Sequence, residues 1–225
     1  MLRGYVMASG RPSQTLLTFL LLTLTALCAP TDAIVSAENF VDVPVLGAIR
    51  ANDRGVFEMM ALSWDQQASP APMQFRWRGN VEFRTEYLDA IRTALRYAQS
   101  RTPEIRHTGT IIIKGVAYAS TGTDGPSAGA ITCVGFIALL RGDPIRRGVA
   151  MTGTIQPDGR IGPVGAIPDK IRAAAREGYR TVLVPQGQNH DSQWNLEKLG
   201  LELNVTVKEV GTIDEAYELM TGRKL

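Results

Sequence analysis

Two mostly apolar, strand-like stretches, residues 45–50 and 56–64, lie on either side of the polar cluster Asn52-Asp53-Arg54-Gly55. Two such runs about a turn predict a β-hairpin, with residues 34–44 leading into it. Residues 65–80 carry prolines, glutamines and a glycine and read as a loop, in which Trp77 between Arg76 and Arg78 folds over a neighbour. Over residues 82–100 the period changes: Leu88, Ile91, Leu95 and Ala98 fall on one helical face, and Pro103 closes the helix. A strand is predicted over 110–119 and a loop over 120–126. Residues 127–141 are apolar nearly all round, which predicts a central, buried helix. Strands follow over 148–154 and 155–161, with the turn Pro157-Asp158-Gly159 in the second. Next comes a helix over 168–178, with Pro168 in its first turn and Gly178 at its C-terminal end. Strands at 181–185 and 204–210 and helices at 195–199 and 213–221 complete the chain. Strands and helices mixed in this way predict one α/β (α+β) domain.

The first 33 residues follow a different pattern. Arg3 and Arg11 precede an apolar run from Leu16 to Leu27, and small residues follow at Ala29, Thr31 and Ala33. Residues 1–33 read as a signal peptide, cleaved after Ala33 or Ala37, or as an uncleaved N-terminal membrane anchor through residues 16–28. The domain itself is then 34–225, exported to a periplasmic or extracellular space. The remainder is ordinary in composition: the whole chain is 44% hydrophobic and 20% charged, with a formal net charge of +2. Such a balance does not suggest a nucleic-acid surface. Cys133, in an apolar helical stretch, reads as a buried structural thiol. His107 and His190 stand far apart, so neither a metal site nor a cofactor site is expected.

Two residues at predicted loop-to-helix junctions carry candidate chemistry. Ser127 follows Asp124, Gly125 and Pro126, a loop suited to an oxyanion and to close substrate approach. Lys170 lies in the first turn of its helix, among Val164, Ala166, Ile167 and Ile171. A serine hydroxyl needs a base, and a lysine serves as one only when neutral. Burial and the positive end of a helix dipole both favour the neutral amine. On the residues alone, a plain helix start at Ser127 and a surface role for Lys170 remain open.

Several segments in order resemble the proteolytic domain of Lon proteases. They are Asp124-Gly125-Pro126-Ser127-Ala128-Gly129, Met151-Thr152-Gly153, the stretch from Gly159 to Lys170, and Thr181-Val182-Leu183-Val184-Pro185. The resemblance runs from about Val43 to Leu219, and the interval of 43 residues between Ser127 and Lys170 suits it. It implies a Lon-type α/β fold related to a ribosomal-protein-like fold. It also implies Ser127 as nucleophile, Lys170 as general base, and Thr152 holding the lysine amine. Polypeptides are the implied substrates, and homo-oligomeric rings, hexamers among them, the implied assembly. Two departures stand out. The chain has no G-x-x-x-x-G-K-[ST] motif, so ATP-independent peptidase activity is expected. Thr154 stands where many members carry an acid, which resembles the archaeal branch. Three other readings compete. One is a G-x-S-x-G nucleophile elbow, which needs His190 as partner to Ser127. Another is a phosphate-binding small-molecule kinase. The last is a non-catalytic Lon-like peptide-binding or scaffold module.

Overall fold

A computed structural model describes residues 40–49, 54–66, 71–78, 85–116 and 125–225. The leader expected over 1–33, the hairpin turn at Asn52-Asp53, and Asp124 lie outside the described residues. In chain order the strands are β1 (Phe40–Ile49), β2 (Arg54–Asp65), β3 (Gln74–Arg78), β4 (Thr110–Val116), β5 (Val149–Met151), β6 (Thr154–Ile155), β7 (Ile161–Gly162), β8 (Thr181–Pro185) and β9 (Thr206–Val210). The helices are α1 (Thr85–Arg101), α2 (Gly129–Arg141), α3 (Ile167–Arg176), α4 (Leu196–Leu203) and α5 (Ile213–Thr221).

β1 and β2 form the expected hairpin, in register from Phe40 opposite Ser63 to Ile49 opposite Arg54. β1 starts earlier than the sequence reading has it: residues 40–44 belong to the strand rather than to an entry segment. Val41, Val43 and Val45 all point into the core, so the period of two extends that far back. The loop expected over 65–80 also needs correction, because it contains β3, an edge strand parallel to β4. Its sequence alternates, with exposed Arg76 and Arg78 about a half-buried Trp77 whose ring lies 6.0 Å from that of Tyr87. The strand expected over 148–154 breaks at Thr152-Gly153, and β6 and β7 pair only with each other in a small hairpin.

The main sheet runs β3-β4-β2-β1-β5-β8-β9. β1, β5, β8 and β9 are mutually parallel, and β2 runs against both of its neighbours. Two apolar clusters cover its faces. Val43, Leu62, Ile113, Met151 and Leu183 pack with α1, α2 and α5, whereas Leu46, Ala150, Val182 and Val184 pack with α3 and α4. Strands at the centre of a parallel array are buried on both sides and lose their alternation, which explains the continuous run Val182-Leu183-Val184.

α2 is buried from Gly129 to Leu140, as its apolar composition requires. Each large side chain it removes from water, such as Phe136 or Ile137, contributes about 1.5–3 kcal/mol. Gly135 lets α2 approach the sheet closely: a Cβ there would lie 2.6 Å from Val43 Cγ2 and 2.8 Å from Leu62 Cδ1. At the β6–β7 turn, Gly159 (φ +82°) lies beneath the Tyr97 ring, whose hydroxyl donates to Asp214.

Candidate active site

Ser127 does not begin an α-helix. It lies, half-buried, in a single 3-10 turn, Pro126–Ala128, and α2 starts two residues later at Gly129. The reason is where its carbonyl goes. That oxygen accepts the Gly153 N–H at 2.9 Å and the Thr152 hydroxyl at 3.4 Å, so it is not available to a helical N–H one turn on. Gly125 caps the turn at φ +132°, ψ +162°, a conformation glycine alone adopts readily, and exposed Pro126 follows it.

Thr152 follows β5 directly. Its N–H donates to the Leu183 carbonyl of β8 at 3.1 Å, and the residue is fully buried. Gly153 completes a staple to α2: its N–H goes to Ser127, and its carbonyl accepts from Ala130 N–H at 3.0 Å. A side chain at Gly153 would sit 2.5 Å from Ile161 Cγ2.

Lys170 is only 3% exposed and lies one residue beyond the N3 position of α3, behind Ala166, Ile167, Pro168 and Asp169. Its Nζ donates to Thr152 Oγ1 at 3.1 Å. Burial holds its pKa down to about 8 from the ordinary 10.5. Of the two effects expected from sequence, burial carries this shift. A cap at Ala166, with left-handed φ of +55°, turns the chain into the helix. The tip of β2 leans on the same helix, since a Cβ on Gly55 would fall 1.8 Å from the Asp169 carbonyl oxygen.

Thr152 thus links the Lys170 amine to the backbone carbonyl of Ser127, and the three residues reach this point from different layers. α2 lies on one face of the sheet and α3 on the other, and Thr152 links them around the end of β5. The hydroxyl of Thr152 gives its proton toward the Ser127 carbonyl and so presents a lone pair to the amine of Lys170. Replacing Thr152 by the near-isosteric valine removes both bonds. We expect a loss of about 1–2 kcal/mol in chemical unfolding.

The other candidates lie elsewhere. Cys133 is buried in α2, and burial pushes its thiol pKa up. His107 bonds Thr102, and His190 lies on the surface 4.0 Å from Glu197. Among the described residues no cluster suited to a metal ion is present, and no helix is long and apolar enough to cross a membrane. Two features at the site escape sequence reading: the left-handed backbone of Ala166, and the amide of Gln188, which bonds the Val164 backbone. Alanine carries no signal for positive φ, and a lone glutamine after a turn carries none for a tertiary tether.

An α/β domain with a buried lysine joined through a threonine to the backbone of a serine defines the class. The family description "Lon protease (S16) C-terminal proteolytic domain" matches residues 88–221, and the chain belongs to this family. The matched stretch begins within α1, later than the Val43 expected from sequence, and contains Ser127, Thr152 and Lys170. The chain is similar to the Lon protease of Haemophilus influenzae, with 41% identity over 102 residues, 44% of this chain and 12% of the relative. It is also similar to that of Erwinia amylovora, with 33% identity over 122 residues, 52% of this chain and 16% of the relative. The match to the Escherichia coli protein is 42% identical over 76 residues, 34% of this chain and 10% of the relative. The chain thus spans only a small part of the relatives it matches.

Proposed function

We propose that the chain is an ATP-independent serine endopeptidase that cleaves flexible or unfolded polypeptides through a Ser127–Lys170 dyad. The observation that carries this reading is the buried amine of Lys170 held on Thr152, whose hydroxyl is in turn tied to Ser127. Neutral Lys170 takes the proton of the Ser127 hydroxyl as Oγ bonds to the scissile carbonyl carbon. The oxyanion that forms lies at the Gly125–Ser127 turn, where Ser127 can offer its backbone N–H. Lys170 then passes its proton to the departing amine as the C–N bond breaks, which leaves an ester on Ser127. A water molecule gives a proton to Lys170 as its oxygen bonds to the ester carbon, and Lys170 returns that proton to Ser127 Oγ as the C–O bond breaks and the acid leaves.

Thr152 orients the amine throughout, and Asp124, Gly125 and Pro126 form the loop that receives substrate. ATP independence is supported by the lack of a G-x-x-x-x-G-K-[ST] motif in these 225 residues. The leader-like residues 1–33 support an exported or membrane-anchored domain, and the family likeness supports assembly of copies into a ring. A serine-directed covalent probe tests the chemistry. It should label the wild-type protein on Ser127 and leave Ser127→Ala unlabelled, with both proteins folded by circular dichroism. No labelling of wild type at any pH between about 7 and 10 would sink the proposal.

A further inference from the structure

We propose that Gln188 is a positioning residue for Lys170, acting as a side-chain clamp on the loop that delivers the lysine to Thr152. Its amide Oε1 accepts the Val164 N–H at 2.9 Å, and its Nε2 donates to the Val164 carbonyl, also at 2.9 Å. Both halves of one peptide position are thus satisfied by one side chain, as a neighbouring strand would satisfy them. A primary amide offers a donor and an acceptor side by side in one plane, the spacing that the N–H and carbonyl of one residue require.

The loop needs such a tether. β7 ends at Gly162, Pro163 has no N–H to give, and α3 begins at Ile167 behind the left-handed Ala166. A non-glycine residue in that conformation costs about 1 kcal/mol and persists only where its surroundings hold it. Val164 packs on the apolar cluster of α3 and α4, and the Gln188 amide fixes its backbone.

Gln188 is itself rigidly placed. Its N–H donates to the Pro185 carbonyl across a turn with Gly187 at φ +82°, and its carbonyl accepts the Trp194 indole N–H at 3.0 Å. That turn continues β8, whose Leu183 carbonyl binds the Thr152 N–H. One strand end therefore holds both partners of the Lys170–Thr152 bond: Thr152 directly, and Lys170 through Gln188 and Val164. Loosening the clamp frees the amine to leave Thr152 and reach water.

The inference rests on the proposed peptidase reading for its catalytic meaning, but its first measurements do not. In the wild-type protein the Val164 amide proton should exchange far more slowly than an open loop; exchange at the open-loop rate would overturn the clamp without any variant. Gln188→Met keeps the volume and removes both bonds, and Gln188→Glu keeps the acceptor but sets a carboxylate against the Val164 carbonyl. The Lys170 resonance, assigned by its loss in Lys170→Met, should titrate in both variants at least one pH unit above its wild-type midpoint. Ser127 labelling at pH 7 should then fall about tenfold or more, with the deficit shrinking towards pH 10.

A purely structural role would lower the melting temperature and leave the Lys170 midpoint and the pH profile in place, and that result overturns the proposal. If wild type never labels while the midpoint still moves in Gln188→Met, the clamp stands and the peptidase reading falls. If wild type labels and both variants match it in midpoint and profile, the clamp falls and the peptidase reading stands.

Discussion

Lys170→Met is expected to abolish acylation of Ser127, by about 10⁴-fold or more, and at the same time to make the folded protein more stable at pH 7. Both effects have one cause. The amine is 3% exposed, and burial lowers its pKa from 10.5 to about 8. Unfolding returns the ammonium to water. Between these two values the unfolded chain binds the extra proton, so stability rises with pH across the window. The contribution is fully present above pH 10.5 and is lost as pH falls to about 8. At neutral pH the folded wild-type protein therefore carries a penalty of about 3 kcal/mol from this group.

Methionine fits the same apolar surroundings without that penalty. It leaves Thr152 Oγ1 without its donor, which costs about 1 kcal/mol, so a net gain of about 2 kcal/mol is expected at pH 7. For a domain of this size the shift in melting temperature is roughly 4–8 °C. The check is a pair of thermal unfolding series from pH 7 to 10.5. The gap between variant and wild type should close as pH rises, because the other groups titrate in both proteins alike. A variant less stable than wild type at pH 7 would show that Lys170 is held by more than its bond to Thr152.

The second large effect is on the pH profile of the wild-type protein. If neutral Lys170 is the base, the rate of Ser127 acylation follows the neutral fraction of one amine. It should rise about tenfold per pH unit up to about pH 8 and then level off. A profile flat from pH 6 to 9 would exclude a lysine base. A profile that keeps rising to pH 10.5 would place the working amine in water and contradict the buried geometry. Thr152→Val should move the inflection downward, since a methyl in place of the accepting hydroxyl leaves the ammonium without that hydrogen bond in the dry site.

Much of this arrangement is legible from the chain. β8 and α5 lie where the apolar pattern predicts them, and α3 follows from Pro168, its amphipathic period and Gly178. These elements are defined by local spacing and capping, which a linear pattern records well. Where the pattern misleads, the deciding bonds come from far along the chain. β3 is a strand because β4 pairs with it across α1. The strand expected over 148–154 breaks because Gly153 bonds Ser127 and Ala130 rather than continuing the ladder. Ser127 enters a 3-10 turn instead of an α-helix because its carbonyl is already engaged by residues 152 and 153.

The order and spacing of motifs around Ser127, Thr152 and Lys170 also point to the family, because they lie along the chain and need no contact to be read. The sequence by itself determined the residue types that can do the chemistry and the local elements that bear them, because those depend on neighbours within a few positions. Only the tertiary structure decided that α2 and α3 lie on opposite faces of the sheet, to either side of the end of β5. It alone decided that Thr152 sits between them, and that Lys170 is dry enough for its pKa to fall to about 8. Burial is a property of everything packed around a group, and Thr152 and the tip of β2 at Gly55 come to this turn of α3 from far along the chain.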